Sequence, residues 1–419
     1  MYYGLDAHKA FIQVCELSDD GRRRKDYQID ATADALEAFA QRLGPSDHVV
    51  LEATFHTWAI HSILVRRAGS VTVANPYEVR AIAKARVKTD KIDAYILAQL
   101  LRTGFLPAVQ MPSEETWARR QLISHRRLLV KQRTAAENSI RAVLNRRLIE
   151  HPYGPTLFSE TNRAWMASLE LPVTERFILD NALELLRQLE ERLEVVDERL
   201  LRLASVDQDV KLLVTIPGIQ VTVAIGFLAA IGDIHRFPSP DRLASYFGLV
   251  PKVRQSADHC RHGHITKAGS ASARWLAIEA AQILSKGGSP LIASYHRLRR
   301  KKGHNVAVTA LARKLVVVVW HVLTRREPYR YAPTTQTRKK LRRLALGAPR
   351  TPKGKVPESL EAIYAEAGLP ELSPPSPSER RAARSNRIAL TRMRAAGDLQ
   401  SRREKRMQEE KLRKELTNS

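Results

Sequence analysis

Four carboxylates in the first hundred residues have the types and the order needed to hold divalent cations against a phosphodiester. Asp6 ends the apolar run Tyr2-Tyr3-Gly4-Leu5, and Glu52 ends a second run, Val49-Val50-Leu51. Such runs read as buried central strands. Asp90 and Asp93 open a segment with apolar residues at Ile92, Ile96, Leu97, Leu100 and Leu101, which is helical spacing. Positions three apart share a helix face, so both acids can aim at one place. Carboxylate oxygens are natural ligands for Mg²⁺, with Mn²⁺ as the alternative. Two such ions can clamp the attacking and leaving oxygens of a phosphoryl transfer. The competing explanation is structural, because strand ends and first helical turns often carry acids.

The surrounding elements must bring these acids together. Residues 1 to about 110 alternate strand and helix signals in the order βββαβαβα, with the first acid on strand one and the second on strand four. A hairpin turn is expected at Asp19-Asp20-Gly21, helices near 33–43 and 58–68, and a further strand over 71–74. This is the order of an α/β ribonuclease H-like (RuvC-like) domain. Residues 113 to about 149 form one long basic helix carrying Arg119, Arg120, Arg126 and Arg127. It reads either as a solvated charged face or as a track for polyphosphate. From 173 to about 206 a heptad runs through Leu179, Ala182, Leu186, Leu189, Leu193, Val196, Leu200 and Leu203. That pattern predicts a coiled coil, within the chain or between chains. The domains expected are therefore 1–110, the basic helix and coiled coil over 111–207, a mostly helical unit over 208–330, and a basic low-complexity tail over 331–419. The third unit opens on Thr215-Ile216-Pro217-Gly218-Ile219, a turn of helix-hairpin-helix type that would offer backbone N–H groups to DNA phosphate. The tail is expected to hold disordered linkers and an exposed basic helix.

Composition narrows the partners. Lys and Arg number 69 against 44 Asp and Glu, a formal charge of +25 over 419 residues. A field of that sign favours nucleic acid over a generic membrane surface. Two cysteines, Cys15 and Cys260, provide no disulfide framework and fit a reducing compartment. The chain opens directly on a strand-like run, so no signal peptide is expected. The apolar stretch around Leu315 to Val319 is read as too short to cross a bilayer, and no membrane partner is expected.

A second cluster of chemical groups lies between 247 and 275. Asp258, His259, Cys260, His262 and His264 suggest zinc, but their spacing does not match a paired Cys/His framework. Ser256, Lys267 and Arg274 stand among glycines at 263 and 269. A serine hydroxyl is a poor nucleophile without an activating base or metal, and nothing in the local sequence supplies one.

Residues 1 to about 327 resemble the one-ten insertion-sequence family of DEDD-type transposases, bridge-RNA-guided recombinases. The strings that carry the resemblance are Gly4-Leu5-Asp6-Ala7-His8-Lys9, Leu51-Glu52-Ala53-Thr54 and Lys88-Thr89-Asp90-Lys91-Ile92-Asp93-Ala94. They continue through Ile216-Pro217-Gly218-Ile219, Gly248-Leu249-Val250-Pro251 and Ile265-Thr266-Lys267-Ala268-Gly269. The resemblance implies that Asp6, Glu52, Asp90 and Asp93 bind Mg²⁺. It implies that Ser256 is the nucleophile, forming a phosphoserine link to DNA. Ser270 and Ser272 are the rivals, and Ala257 departs from the small Gly or Ser usual after the nucleophile. It further implies donor and target DNA, a guide (bridge) RNA, a homo-oligomer (dimer or tetramer) with acids of one subunit serving the serine of another, and a cytoplasmic, nucleoid-associated prokaryotic setting. Lys88, Arg119, Arg120, Arg126, Arg127, Lys267 and Arg274 are the expected nucleic-acid contacts. Two other readings remain: a metal-dependent nuclease or junction resolvase acting by hydrolysis, and a non-enzymatic nucleic-acid-binding coiled-coil protein.

Overall fold

The computed structural model describes residues 1–82, 89–152, 156–256, 259–287, 289–346 and 359–375, with single positions at 377, 380, 381, 384 and 391. It divides into two compact units, residues 1–112 and 113–419.

In the first unit the chain runs β1 (Tyr2–Ala7), β2 (Phe11–Leu17), β3 (Arg23–Asp30), α1 (Ala33–Ala40), β4 (His48–Glu52), α2 (Thr57–Leu64), β5 (Ser70–Ala74), α3 (Pro76–Ile82), α4 (Asp90–Arg102) and β6 (Ala108–Val109). The expected order is present, with α3 and the two-residue β6 added. The six strands form one mixed sheet in the order β3-β2-β1-β4-β5-β6. β1 pairs antiparallel with β2 and parallel with β4, and β4 pairs parallel with β5. The apolar runs have a simple cause: Leu5, Val49, Val50 and Leu51 are fully buried at the sheet centre. α4 begins at Thr89, whose side chain accepts from the Ile92 amide, a cap that fixes where the helix starts. It crosses β1 at very short range. A β-carbon placed on Gly4 would lie 1.9 Å from the Ala94 carbonyl oxygen and 2.9 Å from the Ala98 amide nitrogen. Glycine on the strand and alanines on the helix permit that approach.

The second unit contains α5 (Glu114–Arg146), α6 (Glu160–Ser168), α7 (Val173–Val206), α8 (Gln208–Val214), α9 (Val221–Ile231), α10 (Pro240–Tyr246), the hairpin β7 (Pro251–Ser256) and β8 (His259–Ile265), α11 (Ala271–Ser285), α12 (Ile292–Lys302), α13 (His304–Arg325), α14 (Thr334–Leu346) and α15 (Leu360–Glu366). The heptad on α7 packs against α5 of the same chain. Leu179, Ala182, Leu186, Leu189 and Leu193 are buried with Ala136, Ile140, Val143 and Leu144. The helices run antiparallel, since Arg119 pairs with Asp207, Arg126 with Asp197 and Arg147 with Glu175.

The 208–330 unit is mostly helical and also contains the β7–β8 hairpin. Other expectations change here. Residues beyond 331 are not all tail. Leu341, Leu344, Ile363, Tyr364 and Leu369 are buried in the same core as α8–α13. The turn at Thr215–Ile219 does not face solvent. All five of its residues are buried, and the carbonyls of Val214, Ile216 and Ile219 accept from Lys340 Nζ at 2.6, 3.1 and 2.9 Å. A phosphate cannot reach that backbone, so this turn is a packing joint. The apolar run read as too short for a bilayer belongs to the 22-residue α13, which is long enough by length and composition. Its Leu311, Leu315, Val316 and Val319 are, however, buried in the core of this unit.

Candidate active site

The register of the central strands places the first two acids. Leu5 pairs with Leu51 in parallel, and the next residues along are Asp6 and Glu52. Both stand at carboxyl ends of adjacent strands, where open α/β sheets bind ligands. The turn after Glu52 is tied by Thr57, whose hydroxyl accepts from the Thr54 amide at 2.6 Å and donates to the Thr54 carbonyl at 2.8 Å. The other two acids arrive on the first turn of α4. Arg23 on β3 anchors that turn: its Nη2 donates to the Lys91 carbonyl at 2.8 Å, and its guanidinium lies 4.6 Å from the Tyr95 ring centre.

The geometry converges. One oxygen each from Asp6 and Asp90 and one nitrogen of His8 lie within 4.8 Å of one another. His8 Nε2 sits 3.2 Å from Asp6 Oδ2 and 3.3 Å from Asp90 Oδ1. That nitrogen is buried, yet it meets neither carboxylate at hydrogen-bond geometry. Burial raises the Asp6 carboxyl above its ordinary pKa; His8 opposes this, and the charges of Asp93 and Asp90 reinforce it. Asp93 is thus close enough for its field to act on Asp6. Two carboxylates converging on one imidazole nitrogen make a donor set that a divalent cation could join. Ligands on opposite sides of a Mg²⁺ ion stand about 4.2 Å apart, from bonds of about 2.1 Å. The group that comes together is Asp6, His8 and Asp90, with Asp93 acting on Asp6 through its charge. The imidazole of His8 suits Mn²⁺ better than Mg²⁺. His8 had been visible only as part of a motif. Its role follows from the chain's reversal after β1, which turns it back towards Asp6.

Ser256 ends β7 and pairs in register with His259, which opens β8. Residues 257 and 258, including Asp258 of the zinc reading, lie outside the described residues, as do the side chains of His259, Cys260 and His262 and of Ser256 itself. The base of this hairpin is well defined. The Thr266 amide donates to the Val250 carbonyl at 2.8 Å, Lys267 to Gly248 at 3.3 Å, and Ser270 to Tyr246 at 3.0 Å. Gly248 and Gly269 have φ of +66° and +80°, and a β-carbon on either would lie 2.3 or 2.2 Å from a facing carbonyl. The two glycine-bearing strings are therefore zipped backbone to backbone. Ser270 caps α11 through the Ala273 amide, a structural use of one rival serine.

The basic candidates separate. Arg119 and Arg126 pair with Asp207 and Asp197 on α7. Arg120 Nε donates to the Ala229 carbonyl at 2.7 Å, and burial lowers its pKa. Arg274 Nη1 donates to the carbonyls of Phe247 and Lys267 at 3.2 and 3.1 Å, bracing the hairpin base. Among the described residues Arg127 and Lys267 have no side-chain partner. Lys88 lies outside them. Arg119, Arg120 and Arg126 of α5 are thus engaged within this unit, which narrows the part of the helix left to meet phosphate.

A mixed sheet whose adjacent strand ends carry acids, with two more on the first turn of a packed helix, is the α/β arrangement expected of a ribonuclease H-like domain. Residues 3–148 match the DEDD transposase family model, and residues 210–297 match the transposase IS116/IS110/IS902 family. The chain belongs to this transposase family and is an insertion-sequence DNA transposase. It is similar to the transposase for insertion sequence element IS1111A of Coxiella burnetii, 28% identical over 338 residues, covering 78% of this chain and 90% of that one. It is 30% identical over 274 residues to a Pseudomonas aeruginosa protein named "Probable family 20 transposase", covering 61% and 79%. The pilin gene-inverting protein of Moraxella bovis is 27% identical over 294 residues, covering 67% and 81%.

Proposed function

We propose that this transposase cuts and rejoins DNA strands through a covalent phosphoserine intermediate on Ser256, with Mg²⁺ held by Asp6, Glu52, Asp90 and Asp93. The observation that carries the reading is the convergence of Asp6 and Asp90 on one point, with Asp93 near enough to raise Asp6. Bound there, the cation would neutralise phosphate charge and ease deprotonation of a hydroxyl. Asp6 and Glu52 are held by paired strands, and Asp90 and Asp93 by a capped helix, so the donor set costs little reorganisation on binding. In the covalent step the Ser256 oxygen–phosphorus bond forms as the phosphorus–oxygen bond to one deoxyribose breaks. The serine proton is lost to solvent or a nearby base, and the departing sugar oxygen gains one. The phosphodiester's energy is retained, so a hydroxyl of another strand can attack and reseal without ATP. A guide RNA pairing with element end and target would supply sequence choice, as base pairing does in other RNA-guided systems. An oligomer, dimer or tetramer, would present more than one such site.

The test is denaturing electrophoresis of the protein with labelled DNA, followed by peptide mapping. The parent should give a Mg²⁺-dependent adduct at Ser256. Ser256→Ala should bind DNA but form none, and Asp6→Ala should neither cut nor form it. An adduct that maps elsewhere, or persists in Ser256→Ala, refutes the assignment. Cleavage without any adduct establishes hydrolysis instead.

A further inference from the structure

One groove in the second unit is unused by this chemistry. It measures about 630 Å³, within the roughly 300–1,000 Å³ range of ligand pockets. α5 forms one wall and the starts of α9 and α11 the other. Leu276, Ile123 and Val130 form the apolar part of its buried and half-buried lining, beside Thr222 and Ser272, and its exposed edge carries Trp275, Arg127 and Lys131. No Asp or Glu lines it. Arg126 also borders it but is paired with Asp197. Arg127 and Lys131 have no carboxylate partner among the described residues. Trp275 is 48% exposed, a large aromatic side chain left in solvent. Its ring stacks on no other, and its indole N–H has no acceptor, among the described residues.

From this juxtaposition we propose that the groove seats an unpaired nucleotide of single-stranded nucleic acid, its base against Trp275 and its phosphate on Arg127 and Lys131. An aromatic face beside unpaired cations is the combination that holds single strands irrespective of sequence. Duplex DNA hides its base faces and offers the tryptophan nothing to stack on. Charge excludes the chain's own C-terminal stretch as occupant, since residues 376–419 carry 13 basic against 6 acidic residues. The inference rests on the reading that this chain handles nucleic acid, but not on the identity of the nucleophile.

The experiment uses the full chain carrying Asp6→Ala, so that no probe is cut. Affinities are measured for labelled single-stranded oligo-dT, oligo-rU and a mixed-sequence duplex. Trp275→Ala should weaken single-strand binding about tenfold and leave the duplex unchanged, while Trp275→Phe retains most of the affinity. Arg127→Gln with Lys131→Gln should reduce the slope of log affinity against log salt by about 1.4 for single strands. Photocrosslinking of strands bearing 5-iodouracil should map to the peptide containing Trp275. Comparison of oligo-rU with oligo-dT tells whether RNA or DNA is the source. Equal single-strand binding by Trp275→Ala, or a crosslink confined to other peptides, overturns the proposal. So does a changed oligomeric state in Trp275→Ala and Trp275→Phe at unchanged strand affinity, which would make the occupant a second copy. Circular dichroism of both variants separates loss of stacking from loss of fold. Because strand binding is read without catalysis, failure of the phosphoserine reading leaves this outcome separately measurable.

Discussion

Gly4→Ala is the sharpest perturbation of the acid cluster that touches none of its acids. The new β-carbon would meet the Ala94 carbonyl oxygen at 1.9 Å, whereas side-chain carbons essentially never approach nearer than 3.0 Å. α4 must therefore retreat from β1 by about 1.1 Å at that point, where Asp93 is the preceding residue and Asp90 lies about one turn back on the same helix. Overpacking of this kind costs about 1–3 kcal/mol. A misplacement of about 1 Å in a reacting constellation can cost about 10²-fold in rate. The obstructing atom is backbone, so no shortening of the Ala94 side chain can relieve it. Gly44→Ala is the matched control, because its β-carbon would meet nothing closer than 3.8 Å at an ordinary φ. The assays are Mg²⁺-dependent strand cleavage and the rise in melting temperature on adding Mg²⁺. Gly4→Ala should lose about two orders of magnitude in cleavage and most of the Mg²⁺-induced rise, while Gly44→Ala keeps both. Full cleavage by Gly4→Ala would refute the claim that close packing of α4 on β1 sets the carboxylate geometry. Equal loss in both variants would mean that the effect is a general one on folding.

Three further outcomes follow from the second unit. Burial pulls Lys340 down to about 8 from 10.5. Between those values the unfolded chain holds this proton more tightly, so the contribution of Lys340 to stability should rise by on the order of 3 kcal/mol from about pH 8 to 10.5. It is read as the difference between the parent and Lys340→Met, because the raised Cys15 and Tyr329 groups act the opposite way at the top of that range. Lys340→Met should abolish that rise and lower the melting temperature at pH 7, since the Val214 and Ile219 carbonyls lose the donor Lys340 supplies; denaturant melts against pH check both. Leu186→Ala should cost about 2–5 kcal/mol, and if the seam is filled by α5 the loss will not depend on protein concentration. Removing residues 376–419 should leave the melting temperature unchanged and flatten the salt dependence of nucleic-acid binding. Cutting at 335 should also destabilise, because Leu341, Leu344, Ile363 and Tyr364 leave the core; a parental melting curve for that shorter chain would show their burial to be dispensable.

The acids were legible because their carriers announce themselves. β1 and β4 are buried on both faces and so read as unbroken apolar runs, and α4 combines a Thr cap with helical spacing. The hairpin that ends in Ser256 was not legible. What fixes its base is hydrogen bonding to residues that only the fold brings near. The heptad on α7 declared a seam but not its occupant, since periodicity is a property of one helix. The partner is α5, whose Arg119 meets Asp207 at the end of α7 across 88 residues of sequence.

Net charge pointed to nucleic acid but could not say which cations are free to meet it, and the reason is specific. A basic residue counted from sequence is taken to face a polyanion, but long basic side chains also tie off carbonyls and pair with acids inside the fold. Lys340 lies in a basic block that reads as tail, yet it holds three carbonyls of a buried turn. Arg120 and Arg274 donate to carbonyls, and Arg119 and Arg126 to carboxylates. Subtracting such residues leaves a smaller set that can meet phosphate without breaking an internal contact. On α5 that set includes Arg127 and Lys131, one helical turn apart, on the side that faces Trp275. On that side of α5 the available charge stands beside an exposed aromatic ring, which makes that face, more than the helix as a whole, the place to look for bound strand.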